Sequence, residues 1–309
     1  MKPLILGIWL AGAAFAGTFT YKRVGTLEIR AEVYRGEGAA PRPVILFIHG
    51  GALIMGSRNS LADSRPLQLA LYQKTGFTVV SLDYRLAPET RLPALWEDIA
   101  DAYRWIRKDG PRLFDADPER IAVVGQSAGG YLTLLAGAKL RPAPKALVAW
   151  YGYGDIAADW YAKPDAFYRR QPEVSKEEAF AAVGTAELAE PPPKNSRARF
   201  YLYTRQQGLW PLLVAGFDPV TQRRQLGRYC PVLLVHRGYP PTMMLHGDQD
   251  TDVPVEQSRR MADELKRRGI EHELVILPGL PHSFDRAMDD AAVRDAFQRS
   301  IGFLRAKLK

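Results

Sequence analysis

A single cysteine, Cys230, stands in the 309-residue chain. No disulfide can join two parts of it, and a multi-cysteine metal or iron–sulfur site is excluded. In its Arg-Tyr-Cys-Pro setting, Cys230 reads as a small packed residue rather than a nucleophile. Histidine is scarce as well. The five present include no His-Glu-x-x-His pair, which argues against a zinc hydrolase. Dense basic runs are missing: the formal charge is +8, but the longest uninterrupted stretch is Lys266-Arg267-Arg268. Nucleic-acid binding needs a clustered stripe or arm, so no nucleic-acid partner is expected. Repeats and low-complexity tracts are also lacking. Long apolar runs are limited to Pro3–Ala16, shorter than the roughly 20 residues of a membrane-spanning helix.

That one run follows Met1-Lys2 and ends in Ala14-Phe15-Ala16, with small residues at the −3 and −1 positions. Residues 1–16 therefore read as a signal peptide and point to a periplasmic or secreted protein, with an uncleaved interfacial anchor as the alternative. What remains has an average globular balance, 47% hydrophobic and 25% charged, enough to build a substantial core.

Strand-like and helix-like patterns alternate along the rest. Tyr21–Tyr34 alternates apolar and polar residues and reads as one half-exposed antiparallel strand. Val44–Ile48, Phe77–Leu82, Ile121–Val124, Ala146–Trp150, Thr242–Leu245 and Leu274–Leu277 are continuous apolar runs, as for strands buried on both faces. Helical patterns cover Leu61–Lys74, Ala94–Lys108, Ala128–Leu140, Glu256–Arg268 and Ala291–Leu308. This alternation predicts an α/β fold with a mostly parallel sheet and helices on both faces. Trp150–Cys230 breaks the rhythm, with helical patterns only at Lys176–Val183 and Arg197–Leu209. The expected organisation is a core in two parts, 17–150 and 231–309, with 151–230 inserted as a cap over one edge of the sheet. That insert is rich in aromatic residues, which line a pocket over the site or form the cap's own small core. Its Arg197, Arg199 and Arg205 are candidates to hold a carboxylate, surface solvation being the commoner fate.

Chemistry-bearing residues sit at the ends of the buried runs. Gly125-Gln126-Ser127-Ala128-Gly129 joins a strand to a helix, and a Gly-x-Ser-x-Gly turn of that kind lifts a serine hydroxyl clear of the sheet. Ser127 is the candidate nucleophile, and the Ala128 N–H at the helix start is a candidate oxyanion donor. His49-Gly50-Gly51-Ala52 follows Val44–Ile48, and the Gly51 and Ala52 N–H groups would complete the oxyanion hole. His49 reads as a loop organiser. The stretch His246-Gly247-Asp248-Gln249-Asp250-Thr251-Asp252 offers three carboxylates to orient an imidazole. Asp250 is favoured, Asp252 is its rival, and Asp248 reads as a brace for the loop. His282 follows the last strand and completes the order Ser–Asp–His. His236 and His272 fall off this pattern and read as structural or solvent-facing.

Taken together, His49-Gly50-Gly51, Asp83-Tyr84-Arg85-Leu86-Ala87-Pro88, Gly125–Gly130, Asp250 and His282 resemble the α/β-hydrolase superfamily. Within it the chain is similar to the esterase branch related to hormone-sensitive lipase and to feruloyl-esterase-like proteins. The resemblance implies a serine hydrolase acting on a small-molecule carboxylic ester, with no metal or cofactor. It makes Asp83–Pro88 a structural corner without catalytic duty. Ala52 stands where a third glycine is common, and the acid loop is closer to the feruloyl-esterase and dienelactone-hydrolase style. Two rivals share these motifs: a serine peptidase of the prolyl-oligopeptidase kind, and a ligand-binding relative without catalysis.

Overall fold

The computed structural model describes residues 15–191 and 197–309. The segment read as a signal peptide lies outside the described residues up to position 14, and the first strand begins at Phe15.

Eight strands form one sheet: β1 (Phe15–Val24), β2 (Leu27–Tyr34), β3 (Arg42–Ile48), β4 (Thr78–Leu82), β5 (Ala116–Gln126), β6 (Ala146–Trp150), β7 (Thr242–Gly247) and β8 (His272–Leu277). Their order is β1-β2-β4-β3-β5-β6-β7-β8. β1 and β2 pair antiparallel, as do β2 and β4, and every other pairing is parallel. The expected mostly parallel α/β sheet is therefore present. Tyr21–Tyr34 is not one strand, however. The chain reverses at Gly25-Thr26, where Gly25 takes φ +57° and Val24 pairs with Leu27. A two-residue hairpin needs positive φ at that position, and glycine supplies it without strain.

Continuous apolar strands follow from burial on both faces. In β3, Val44, Leu46 and Ile48 enter one core with helices Leu92–Phe114, Ala128–Lys139 and Glu256–Arg267. Ile45 and Phe47, pointing the other way, join a second core with Leu69, Tyr72 and the helix Ala291–Lys307. A strand buried on one face only would have alternated with polar residues.

The helix expected over Leu61–Lys74 is broken into Ser60–Ser64 and Pro66–Lys74. Arg65 precedes a proline, which disfavours the helical region, and it adopts φ −145°, ψ 48°. The break turns the Arg65 side chain inward.

Beyond Trp150 the chain forms short helices, among them Lys176–Phe180 and Arg197–Gln207. The segment crosses the carboxyl ends of the strands: the Leu86 N–H donates to the Leu188 carbonyl, Trp210 Nε1 to the Ala52 carbonyl, and Arg205 reaches the loop after β7. Cys230 is buried within it, and burial pushes its thiol up to about 12, consistent with a packing role.

Candidate active site

β5 delivers Ser127 directly. The residue takes φ 53°, ψ −120°, and the helix Ala128–Lys139 starts at the next position. Such a conformation is strained for a residue with a side chain, and the neighbours make it possible by being small. A Cβ on Gly129 would lie 2.0 Å from the Ile48 carbonyl oxygen, and one on Gly125 would lie 2.3 Å from the Gly129 oxygen. β3, β5 and the helix thus meet at closer range than any side chain allows. The Ser127 N–H donates to the Trp150 carbonyl at 2.9 Å, which ties the turn to β6.

The structure brings three of the expected side chains into a chain of contacts. His282 Nε2 lies 3.1 Å from Ser127 Oγ, and His282 Nδ1 lies 2.7 Å from Asp250 Oδ2. A carboxylate only accepts, so Nδ1 carries the proton and the lone pair on Nε2 faces the serine hydroxyl. Asp250 Oδ1 in turn accepts the N–H groups of Asp252 (2.9 Å) and Val253 (2.8 Å). His246, fully buried behind it, approaches Oδ2 at 3.3 Å through Nε2. That nitrogen also donates to the Val253 carbonyl at 3.0 Å, while Nδ1 accepts from Ser258 Oγ. Burial alone would raise the Asp250 carboxyl, but hydrogen bonds from His246, His282 and Val253 outweigh it and hold the group well below the usual carboxylate range.

His282 shows the opposite balance. Burial pulls the imidazole down; the hydrogen bond to Asp250 and the charge of Asp252 raise it more, with further help from Asp285, for a net shift above its ordinary value. Asp252 approaches from the other side of the ring, with Oδ2 3.4 Å from His282 Nε2. The two rival aspartates therefore face different nitrogens of one imidazole. Asp248 braces the loop, its Oδ1 accepting the Gly279 N–H at 2.7 Å.

The loop after β3 lies against the nucleophile. Gly51 takes φ +105°, and a Cβ there would meet the Met55 carbonyl oxygen at 2.1 Å. The Ile54 and Met55 N–H groups both bond the Gly51 carbonyl, a tight turn with Gly51 and Ala52 at the cleft wall. Ala128 opens its helix, so its N–H has no intrahelical acceptor. His49 is fully buried, stacked on Tyr84 at 4.2 Å, with Nδ1 donating to the Gly50 carbonyl at 2.7 Å. Burial lowers it to about 4, so a neutral ring organises this loop.

A cleft of about 360 Å³ opens over Ser127 and His282, bordered by Met55, Ser60, Ser64, Asp252 and Arg286 among others. Of the aromatic residues between 151 and 230, Tyr151 and Tyr201 reach it. Most of the others pack on one another, some stacked, as Trp160 on Tyr161 (3.7 Å) and Tyr161 on Trp210 (4.3 Å), and others edge to face, as Phe180 on Phe200. Arg197 and Arg205 are not solvated. Arg197 is buried against Glu89 (2.7 Å), and Arg205 against Asp165 (2.8 Å) and Asp252 (2.7 Å); only Arg199 stays exposed, paired with Glu178. A second buried pair underlies the His282 loop. Arg65 Nε lies 2.5 Å from Asp285 Oδ2, and Asp285 also accepts from Tyr151 and Gln126. Sequence reasoning misses Arg65 and Asp285, which meet across 220 positions of the chain, and it misses His246, whose backing of Asp250 no motif in the loop signals. Among the described residues no group of three or more His, Cys, Asp or Glu side chains is placed to hold a metal, and no helix is long and apolar enough to cross a membrane.

A family model for the alpha/beta hydrolase fold matches residues 45–286, and the chain belongs to that family. Among solved structures, an alpha/beta hydrolase superfamily protein from Enterococcus faecalis is similar at a TM-score of 0.73 and 23% identity, over 95% of this chain and 100% of that one. An acetyl ester-xyloside bifunctional hydrolase from Caldicellulosiruptor lactoaceticus gives 0.70 and 20%, over 95% and 97%. An esterase from Thermogutta terrifontis gives 0.65 and 21%, over 95% and 92%. At these identities the likeness is one of fold. By sequence, the chain is 31% identical to the non-reducing polyketide synthase adrD of Penicillium rubens, over 93% of its own length but only 13% of that protein's.

Proposed function

We propose that the chain is a serine hydrolase that cleaves carboxylic esters through an acyl-enzyme on Ser127. The observation that carries this reading is the run of contacts from Asp250 through His282 to Ser127 Oγ, at 2.7 and 3.1 Å. His282 Nε2 takes the hydroxyl proton as Oγ attacks the ester carbonyl, while Asp250 holds the tautomer and stabilises the imidazolium. The N–H groups of Gly51, Ala52 and Ala128 receive the negative charge that develops on the carbonyl oxygen. His282 then gives its proton to the leaving alcohol, and water repeats the steps on the acyl-enzyme. Residues 151–230 act as the cap in this reading. A peptidase of the prolyl-oligopeptidase kind has less support. Glu177 and Glu178 form no amine-binding pair at the cleft, since Glu178 closes a capping box with Ser175 and pairs with Arg199 on the surface.

The test is labelling by a fluorophosphonate probe together with turnover of p-nitrophenyl acetate. Wild type is expected to label and turn over. Ser127→Ala is expected to do neither while keeping the wild-type circular dichroism spectrum. Equal labelling of the two proteins overturns the assignment.

A further inference from the structure

Asp252 is built into the site in a way that the reaction just described does not use. Its Oδ1 accepts three donors: Tyr168 Oη at 2.8 Å, Tyr201 Oη, and Arg205 Nη1 at 2.7 Å. Arg205 Nη1 also donates to the Asp252 main-chain oxygen at 3.1 Å. The guanidinium is itself held among the rings of Tyr168, Tyr161, Trp160 and Tyr201 and bound to Asp165. Among the described residues no donor satisfies Oδ2, which faces the cleft 3.4 Å from His282 Nε2. Asp252 is also the only carboxylate among the described residues on the cleft wall.

His282 Nε2 is the atom that must protonate the leaving alcohol, so the ester oxygen of a bound substrate passes within hydrogen-bond distance of it. A carboxylate oxygen beside that nitrogen then lies next to the first carbons of the alcohol. It accepts but cannot donate. It therefore suits an alcohol carrying a second hydroxyl beside the ester and opposes one carrying a negative charge. We propose that Asp252 Oδ2 selects esters of polyhydroxylated alcohols, polyols or sugars, by accepting a hydrogen bond from the hydroxyl neighbouring the scissile oxygen. This rests on the serine-hydrolase reading above and adds the alcohol side of the substrate to it. Ser60 and Ser64, on the wall of the same cleft, extend a polar surface for further hydroxyls.

The experiment compares kcat/KM for glycerol monoacetate and propyl acetate, which share an acyl group, with acetylcholine as a third substrate. Wild type is expected to favour the glycerol ester about tenfold or more, the scale of one hydrogen bond to a charged acceptor. In Asp252→Asn the three donors to Oδ1 fix the amide oxygen there and turn its NH₂ toward the cleft; a neutral donor replaces the charged acceptor, so the preference is expected to fall several-fold. Tyr201→Phe keeps the carboxylate and is expected to keep the preference. Equal wild-type rates on the two esters, or an unchanged ratio in Asp252→Asn, overturn the proposal, and so does a preference for acetylcholine, which would make Asp252 a cation site. Fluorophosphonate labelling separates the two levels. A protein that labels at Ser127 but shows no polyol preference refutes only this inference, whereas one that fails to label refutes the hydrolase reading as well.

Discussion

Replacing Asp250 by Asn perturbs the site at one atom, Oδ2, which faces His282 Nδ1 and, more distantly, His246 Nε2, with little change in shape. The amide oxygen retains the Oδ1 position, where the N–H groups of Asp252 and Val253 donate at 2.9 and 2.8 Å. The amide NH₂ must then occupy the Oδ2 position, 2.7 Å from His282 Nδ1. Two donors cannot face each other, so the ring gives up the Nδ1 proton, accepts from the amide, and carries its proton on Nε2. In that tautomer Nε2 has no lone pair for the Ser127 hydroxyl. The imidazolium also loses the carboxylate that supports it. In a serine protease a tautomer reversal of this kind lowers kcat by about 10⁴, or ~5.4 kcal/mol at 1.36 kcal/mol per tenfold. A loss of roughly 10³ to 10⁴ is expected here. The assay is kcat and KM on p-nitrophenyl acetate for Asp250→Asn beside Asp252→Asn, with urea unfolding to establish that both are folded. Asp252 faces Nε2 rather than Nδ1, so its variant is expected to retain far more activity on this substrate. The reverse ranking refutes the reasoning and moves the orienting carboxylate to Asp252.

The pH profile follows from the same ring. His282 is raised above its ordinary value by Asp250, Asp252 and Asp285 against the pull of burial. Its basic form is lost as pH falls through that raised pKa, so kcat/KM is expected to rise with pH through an inflection above the free-imidazole value of about 6.5. Asp252→Asn removes one raising charge and is expected to move the inflection down; an unmoved inflection contradicts the placement of Asp252. Arg65→Met leaves Asp285 buried without its cation. Breaking a buried pair in this way costs about 3–5 kcal/mol, to be read from urea unfolding, and a change below about 1 kcal/mol would show that Tyr151 and Gln126 suffice.

Buried strands were legible because side chains on both faces must be apolar: Ala146–Trp150 was bounded to the residue. Errors came where local pattern competed with a single backbone constraint. Alternation continued across Gly25-Thr26 and hid the hairpin, and helical periodicity continued across Arg65-Pro66 and hid the break. The loop motifs brought Ser127, Asp250 and His282 together because each follows a strand of one parallel sheet, whose carboxyl ends share a rim. Position in the loop favours Asp250 over Asp252, and both lie within reach of the imidazole, on different nitrogens. Burying Arg197 and Arg205 ran against the ordinary preference of arginine for water; only the distant partners Glu89, Asp165 and Asp252 make it possible.

Arg205 bears on how substrate reaches Ser127. A wholly buried cation is a poor way to hold two elements together, because desolvation offsets most of the attraction and a well-packed apolar residue often does as well. What an apolar residue lacks is direction. Arg205 Nη1 holds both the Oδ1 and the main-chain oxygen of Asp252, and the Asp252 N–H in turn holds Asp250 Oδ1. The helix Arg197–Gln207 is thereby linked to both carboxylates that face His282. Swinging that helix away from the sheet would strand the guanidinium and release the Asp252 end of the loop, disordering the side chains that the reaction needs. Opening by hinge motion at this point is therefore opposed to catalysis rather than preparatory to it.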